Sequence, residues 1–202
     1  MNRTTMRRTL AGAALVALLG LAGCGGAHDG GGHSGAGTPT GSGPSAQVSA
    51  DFNDSDVMFA QMMIPHHQQA VEMAELAETR ASDPALKGLA AGIKAAQAPE
   101  IATMTGWLTA WGQPLTPGGG HNMSEMDGMV AEKDMAALKA ASGAEFDRMF
   151  AKLMIEHHEG AIQMARTEKA DGANAEARAL AEKIAADQAA EVQTLKKFAG
   201  QG

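Results

Sequence analysis

The chain repeats itself. Shifted by 91 residues, Asp56-Val-Met-Phe-Ala-Gln-Met-Met63-Ile-Pro-His66-His67 lies on Asp147-Arg-Met-Phe-Ala-Lys-Leu-Met154-Ile-Glu-His157-His158. The match continues through Ala70/Ala161, Met73/Met164 and Ala74/Ala165, and resumes without a gap at Leu89/Leu180, Ile93/Ile184, Gln97/Gln188, Glu100/Glu191 and Thr103/Thr194. Of the 56 positions from Asp56 to Trp111, 19 are identical 91 residues on. Unrelated segments would share only a few, so the second half is a copy of the first. A copied unit must bury its apolar face against something, and its twin is the nearest partner.

From Asp51 onward Ala, Met, Leu, Glu and Lys dominate, Tyr is absent and runs of β-branched residues are missing. That is helix composition. Each copy predicts two helices. The first runs over about 53–79 and its counterpart over 146–169. Asp83-Pro84 opens the next helix, with Asp as the cap and Pro in the first turn, and Asn174 holds the matching cap. Ser142 and Glu145 read as a capping box. The fold class is all-α: a four-helix bundle over residues 51–202, made of two helical hairpins (about 51–111 and 144–202). The 112–143 linker between them is Gly-rich at first and predicts a short extra helix over 124–140.

The N-terminus reads as an address. Arg3, Arg7 and Arg8 precede an apolar run from Leu10 to Leu21, too short to span a bilayer. It ends in Leu21-Ala22-Gly23-Cys24, which resembles the lipobox of bacterial lipoproteins, so residues 1–23 are expected to be cut off and Cys24 lipidated. Cys24 is the chain's single cysteine and has no internal disulfide partner. Residues 24–50, rich in Gly, Ser, Thr and Pro, form an expected flexible tether reaching about 25–30 Å. His28 and His33 within it read as spacer residues. Losing the three arginines takes the formal charge from −7 to −10, which argues against nucleic acid as a partner. The expected location is the outer face of the membrane, held there by lipid.

At about 100° per residue, Asp56, Met63 and His67 share the centre of one helix face, and His66 sits at its flank with Met62 and Met73. The second copy repeats this with Asp147, Met154 and His158, and with His157 and Met164. A methionine stripe alone is ordinary core. Two adjacent histidines kept in both copies are harder to absorb, because a buried imidazole needs partners for two nitrogens. The candidate metal ligands are therefore Met63, His66, His67, Met73, Met154, His157, His158 and Met164, with Asp56 and Asp147 as carboxylates orienting the imidazoles. Thioether with imidazole suits Cu(I) and Ag(I), and imidazole also accepts Cu(II). Structural zinc prefers cysteine, and di-iron bundles need more carboxylates than this pattern supplies. His121, Met123, Met126 and Met129 in the linker form a further cluster with two readings: an exposed metal site, or a short amphipathic helix packing its Met on the bundle.

With these motifs in view, the chain resembles the domain of unknown function 305 family from about Asp51 onward. The resemblance rests on Met63-Ile-Pro-His66-His67-Gln-Gln-Ala-Val-Glu-Met73-Ala, on Gln97-Ala-Pro-Glu100-Ile and Trp107-Leu-Thr-Ala-Trp111-Gly, and on the second copy of the His-His motif. It implies a ferritin-like four-helix fold, with some relatives looking like extracytoplasmic copper-binding proteins. Pro65 and Pro99 occur in the first copy only, and Phe198 stands where that copy has Trp107. Three functions remain open. The first is a lipid-anchored copper protein, without catalysis, that buffers or delivers the metal. The second is a metal-free envelope module with pH-responsive histidines. The third is a metal oxidase on a ferritin-like scaffold.

Overall fold

The computed structural model describes residues 49–118 and 127–200. The leader, Cys24, the tether, and His121, Met123 and Met126 lie outside them. Four long helices carry the fold: α1 (Asp54–Arg80), α2 (Pro84–Ala110), α4 (Gly143–Asp171) and α5 (Ala175–Phe198), with a short α3 (Glu132–Ala140) between the hairpins. Among the described residues no helix is long and apolar enough to cross a membrane.

The caps form largely as the sequence predicts. The Asp83 side chain accepts from Ala85 N, with Pro84 in the first turn, and that of Asn174 accepts from Glu176 N and Ala177 N. The capping box, however, is at the other helix. Asn53 accepts from Ser55 and Asp56 amides while the Asp56 carboxylate accepts from Asn53 N. Ser142 sits at the α4 cap but its side chain makes no cap bond. Gly143, which follows it, has φ of 63°, and this left-handed turn swings the first amides away from the hydroxyl. Pro65 and Pro99 lie inside α1 and α2, which run through them uninterrupted.

Within each copy the two helices pack along their length, and the hairpins meet mainly through α1 and α4. Two carboxylates fix this crossing. Asp56, at the start of α1, accepts from the amides of Ala173 (3.1 Å) and Asn174 (2.9 Å) at the α4–α5 corner. Asp147, at the start of α4, accepts from Ser82 N and Asp83 N (3.0 Å each) and from the Ser82 hydroxyl at the α1–α2 corner. Each copy thus clamps the turn of the other, and α1 and α4 run antiparallel. Asn53 Nδ2 to Asp171 O (2.8 Å) and Asn174 Nδ2 to Asp51 O (3.0 Å) tighten the first corner.

The linker differs from its expected form. Helix starts only at Glu132, because Val130 N–H donates to Gln69 Oε1 at 2.8 Å and Val130 C=O accepts from Gln69 Nε2 at 2.9 Å, which leaves neither for a helix. Residues 127–131 form a strap across α4. A Cβ on Gly160 would lie 2.1 Å from Asp127 O, so only glycine lets the strap lie there. Beyond the strap, Met135 and Leu138 of α3 join Met73, Phe146 and Phe150 in one apolar cluster. A second cluster, at the opposite end, gathers Phe59, Met63, Met104, Trp107 and Ile184. There Trp111 stacks on Phe52 and Trp107, and its Nε1–H donates to Ser49 O (3.1 Å).

Asp147→Ala leaves two amides and a hydroxyl without their charged acceptor. Hydrogen bonds to charged groups contribute about 1.5–3 kcal/mol each and are not additive, so we expect a loss of about 3 kcal/mol in urea unfolding, and a similar loss for Asp56→Ala.

Candidate metal centre

Between the two apolar clusters lies a polar slab. Each long helix sends two residues into it: His66 and His67 from α1, Gln97 and Glu100 from α2, His157 and His158 from α4, and Gln188 and Glu191 from α5. All except Glu191 are buried, the four histidines completely. Because α1 and α4 cross antiparallel with equal offsets, His66 meets its own copy. The His66 and His157 rings face each other with centroids 3.7 Å apart, tilted by 41°.

The members of each pair differ in what satisfies them. His67 Nε2 lies 2.9 Å from Glu100 Oε2, and His158 Nε2 lies 2.8 Å from Glu191 Oε2. Burial alone would raise the Glu100 carboxyl, but His67 and Lys183 outweigh it and hold the carboxyl below its usual range. An ionised Glu100 can only accept, so Nε2 of His67 carries the hydrogen and Nδ1 keeps its lone pair. That Nδ1 has no hydrogen-bond partner, nor has Nδ1 of His158, nor either nitrogen of His66 or His157. Gln97 Nε2 and Oε1 and Gln188 Oε1 are likewise unpartnered. Six fully buried ring nitrogens without a partner carry a desolvation penalty that a bound cation would relieve.

Burial keeps the His66, His67 and His157 rings neutral. Burial, and then the neighbouring His67, pushes the His66 imidazole down to about 3. Burial and His66 hold His157 well below the ordinary value, and burial lowers His67 despite Glu100. A neutral imidazole presents the lone pair a metal needs.

The structure sorts the sequence-predicted ligands by depth. Met63 and Met154 are fully buried one turn before their histidines and adjoin the slab from opposite sides. Met73 and Met164 lie seven residues beyond His66 and His157, about 10 Å along the axis, and the structure does not bring them to the imidazoles. Asp56 and Asp147 are corner clamps, and the orienting carboxylates are Glu100 and Glu191. Sequence reading missed that role. The signal was present, because both Glu residues survive the copying and both stand 33 residues after the histidine they meet. Met129 is half-buried in the strap, where it lines a shallow pocket with Leu153, Glu156 and Glu159 of α4. Among the described residues no three His, Cys, Asp or Glu side chains converge as a ready cation cage.

Residues 56–199 match the family model named domain of unknown function (DUF305). The chain belongs to the DUF305 family. A DUF305 protein of Streptomyces coelicolor is 30% identical at a TM-score of 0.67, covering 71% of this chain and 91% of its own. A DUF305 fragment from Deinococcus radiodurans is also 30% identical with a TM-score of 0.67, covering 74% of this chain and 98% of its own. CopM in its Cu(I)-bound form is 34% identical at a TM-score of 0.59, covering 71% of this chain and 94% of its own. Structures of CopM with Cu(II) and with Ag match as well. No curated protein matches the chain. This DUF305 chain thus shares the all-α bundle of proteins that include CopM, whose structures hold copper and silver.

The neutral rings give the metal-free protein a definite pH response. Unfolded histidines take up protons near pH 6.5, whereas folded His66 does so only near 3. This contribution is complete above pH 6.5 and shrinks as pH falls, by about 1.4 kcal/mol per unit for each such ring. Glu168, on the α4 face beside Asp56, acts oppositely. Burial, then a hydrogen bond to Asp56 and the Asp56 charge, raise it to about 8 against an ordinary 4.5, so its contribution fades as pH rises from 4.5 through 8. Between pH 4.5 and 6.5 two histidines outweigh one carboxyl. Melting of chelator-treated protein from pH 4 to 9 is expected to peak near pH 6.5, and Glu168→Gln should flatten the alkaline limb and steepen the acid one. A melting temperature constant over this range would mean that the rings are not neutral in the fold.

Proposed function

We propose that this DUF305 protein is an exported, lipid-anchored carrier of monovalent copper, with Ag(I) as a chemical mimic. The observation that carries the reading is the set of six buried, unpartnered imidazole nitrogens. A site built for hydrogen bonding would have filled them, and an apolar core would not contain them. Nδ1 of His67 and of His158, aimed by Glu100 and Glu191, and the facing rings of His66 and His157 are the nitrogen donors. Met63 and Met154 are the sulfur donors at the same depth. Soft, neutral ligands in a buried slab favour a soft monovalent ion over a hard divalent one. The likeness to CopM, crystallised with Cu(I), Cu(II) and Ag, supports the same metals here.

The role is holding and releasing metal outside the cytoplasm, as a buffer or donor, without catalysis. The leader, the lipobox-like Cys24 and the tether support export and anchoring, and the S. coelicolor relative is named as a secreted protein. In membrane fractionation, Cys24→Ser is expected to move the protein from the membrane to the soluble fraction. Retention on the membrane would exclude the lipid anchor.

Titration with Cu(I) against a competing chelator tests the site. His66→Ala/His157→Ala is expected to bind at least about a hundredfold more weakly than the parent, a loss of about 2.7 kcal/mol. In the parent, free metal a thousandfold above Kd stabilises by about 4 kcal/mol, or on the order of 10 °C in Tm. Equal affinity in the variant would overturn the ligand assignment. A Tm unmoved by Cu(I) and Ag(I) would favour the metal-free, pH-responsive module.

A further inference from the structure

Gln69 and Gly160 hold the same position in the two copies, three residues after His66 and His157. Because α1 and α4 are antiparallel, they lie one turn to either side of the contact between those two rings. The strap rests on Gly160 and is tied by Gln69, so it crosses directly over the ring pair. On α4 the fit is close: a Cβ on Gly128 would lie 2.9 Å from both His157 O and Gly160 Cα. On α1 the Gln69 side chain bonds both backbone groups of Val130. The Asp127 carbonyl comes near the His66 ring without completing a hydrogen bond. Burial lowers that imidazole, and the carbonyl opposes the effect.

This cover is one chain thick. Asp127 is exposed and Gly128 and Met129 are half-buried, yet the His66 and His157 rings beneath them are fully buried. Residues 127–131 belong to no helix. On the α2–α5 side the slab is backed instead by Glu100 with Lys183 and by Glu191, all carried on long helices. Beyond the strap α3 covers one half of the α1–α4 crossing, and the other half is open. The four long helices pack on one another without the strap. Lifting it breaks the Gln69–Val130 pair and leaves every long helix in place, so the opening is local and costs far less than unfolding.

We infer that the 127–131 strap is a removable cover over the His66–His157 pair, with Gln69 as its latch, and that its opening is the way into the slab. The cover stands on geometry alone. Its use by metal rests on the copper reading given above. Closed, the strap shields neutral rings from water and slows release; open, it lets a small cation reach their lone pairs.

Two variants loosen the strap from opposite ends. Gln69→Leu removes the latch at similar side-chain volume. Gly160→Ala puts a methyl where the Asp127 carbonyl lies, and alanine, the better helix former, keeps α4 intact. Modification of imidazoles by diethyl pyrocarbonate, followed peptide by peptide in the metal-free mature chain, measures the cover without any metal. Each variant is expected to speed reaction at His66 and His157 about tenfold, while amide exchange along α2 and α5 stays as in the parent. Faster exchange along those helices as well would mean a looser fold and would overturn the cover, as would equal ring rates in the parent and both variants. If Gln69→Leu fails to fold, Gly160→Ala decides. Transfer of Ag(I) to and from a competing chelator should speed by a similar factor in both directions, with Kd nearly unchanged. Faster ring reaction with unchanged Ag(I) transfer overturns the entrance. If even the parent takes up no Ag(I), the copper reading falls and with it the entrance, and the ring rates alone decide the cover.

Discussion

The reciprocal grip of Asp56 and Asp147 sets everything else in register. Each carboxylate starts a helix in one copy and gathers the backbone amides at the corner of the other. Because both grips sit at the same position in their repeats, the crossing of α1 and α4 is centred midway between them, and that is where the histidines are. Burial works against the charge on Asp56, yet the Asn53 amide, a hydrogen bond from the Glu168 carboxyl, and the amides of Asn174 and Ala173 hold its carboxyl below the ordinary range. The Asp56 clamp is thus favoured in its ionised form, while the buried His66, His67 and His157 rings between the corners are favoured as neutral.

Much of this was legible in the residues. A copied segment with clear caps gave the long helices to within about three residues, and the doubled His-His motif marked the polar slab. What could not be read was depth along the axis. A helical wheel assigns a face but collapses height, so Met63 and Met73 look equivalent around His66 although only Met63 stands at the level of the slab. The same collapse made Asp56 look like a companion of His67, when the antiparallel crossing carries it to the far corner. The partners of His67 and His158 come from neighbouring helices, and only the hairpin geometry brings Glu100 and Glu191 to them. The linker misled for a local reason, because a side chain, that of Gln69, captured the backbone of Val130.

The two copies have also diverged where it matters electrically. Lys183 of α5 reaches across to the free oxygen of Glu100 at 3.0 Å and also pairs with Asp187 at 2.8 Å. Its counterpart in the first copy is Gly92, and among the described residues Glu191 pairs with His158 alone. One orienting carboxylate is thus shared between an imidazole and a lysine, and the other belongs wholly to its imidazole. The more a carboxylate is shared, the less electron density it lends through the ring to the distal nitrogen. The two imidazole pairs are therefore unequal as donors despite their common origin.

Gly160 shows how little is needed to make a doubled molecule lopsided. Its counterpart is Gln69, whose amide ties down the very strap that the missing side chain at 160 admits. Deleting one side chain gives the linker a seat, and keeping the other gives it a fastening. A protein that began with two interchangeable sides thereby acquires a front and a back, one shut against its surroundings and one turned toward them.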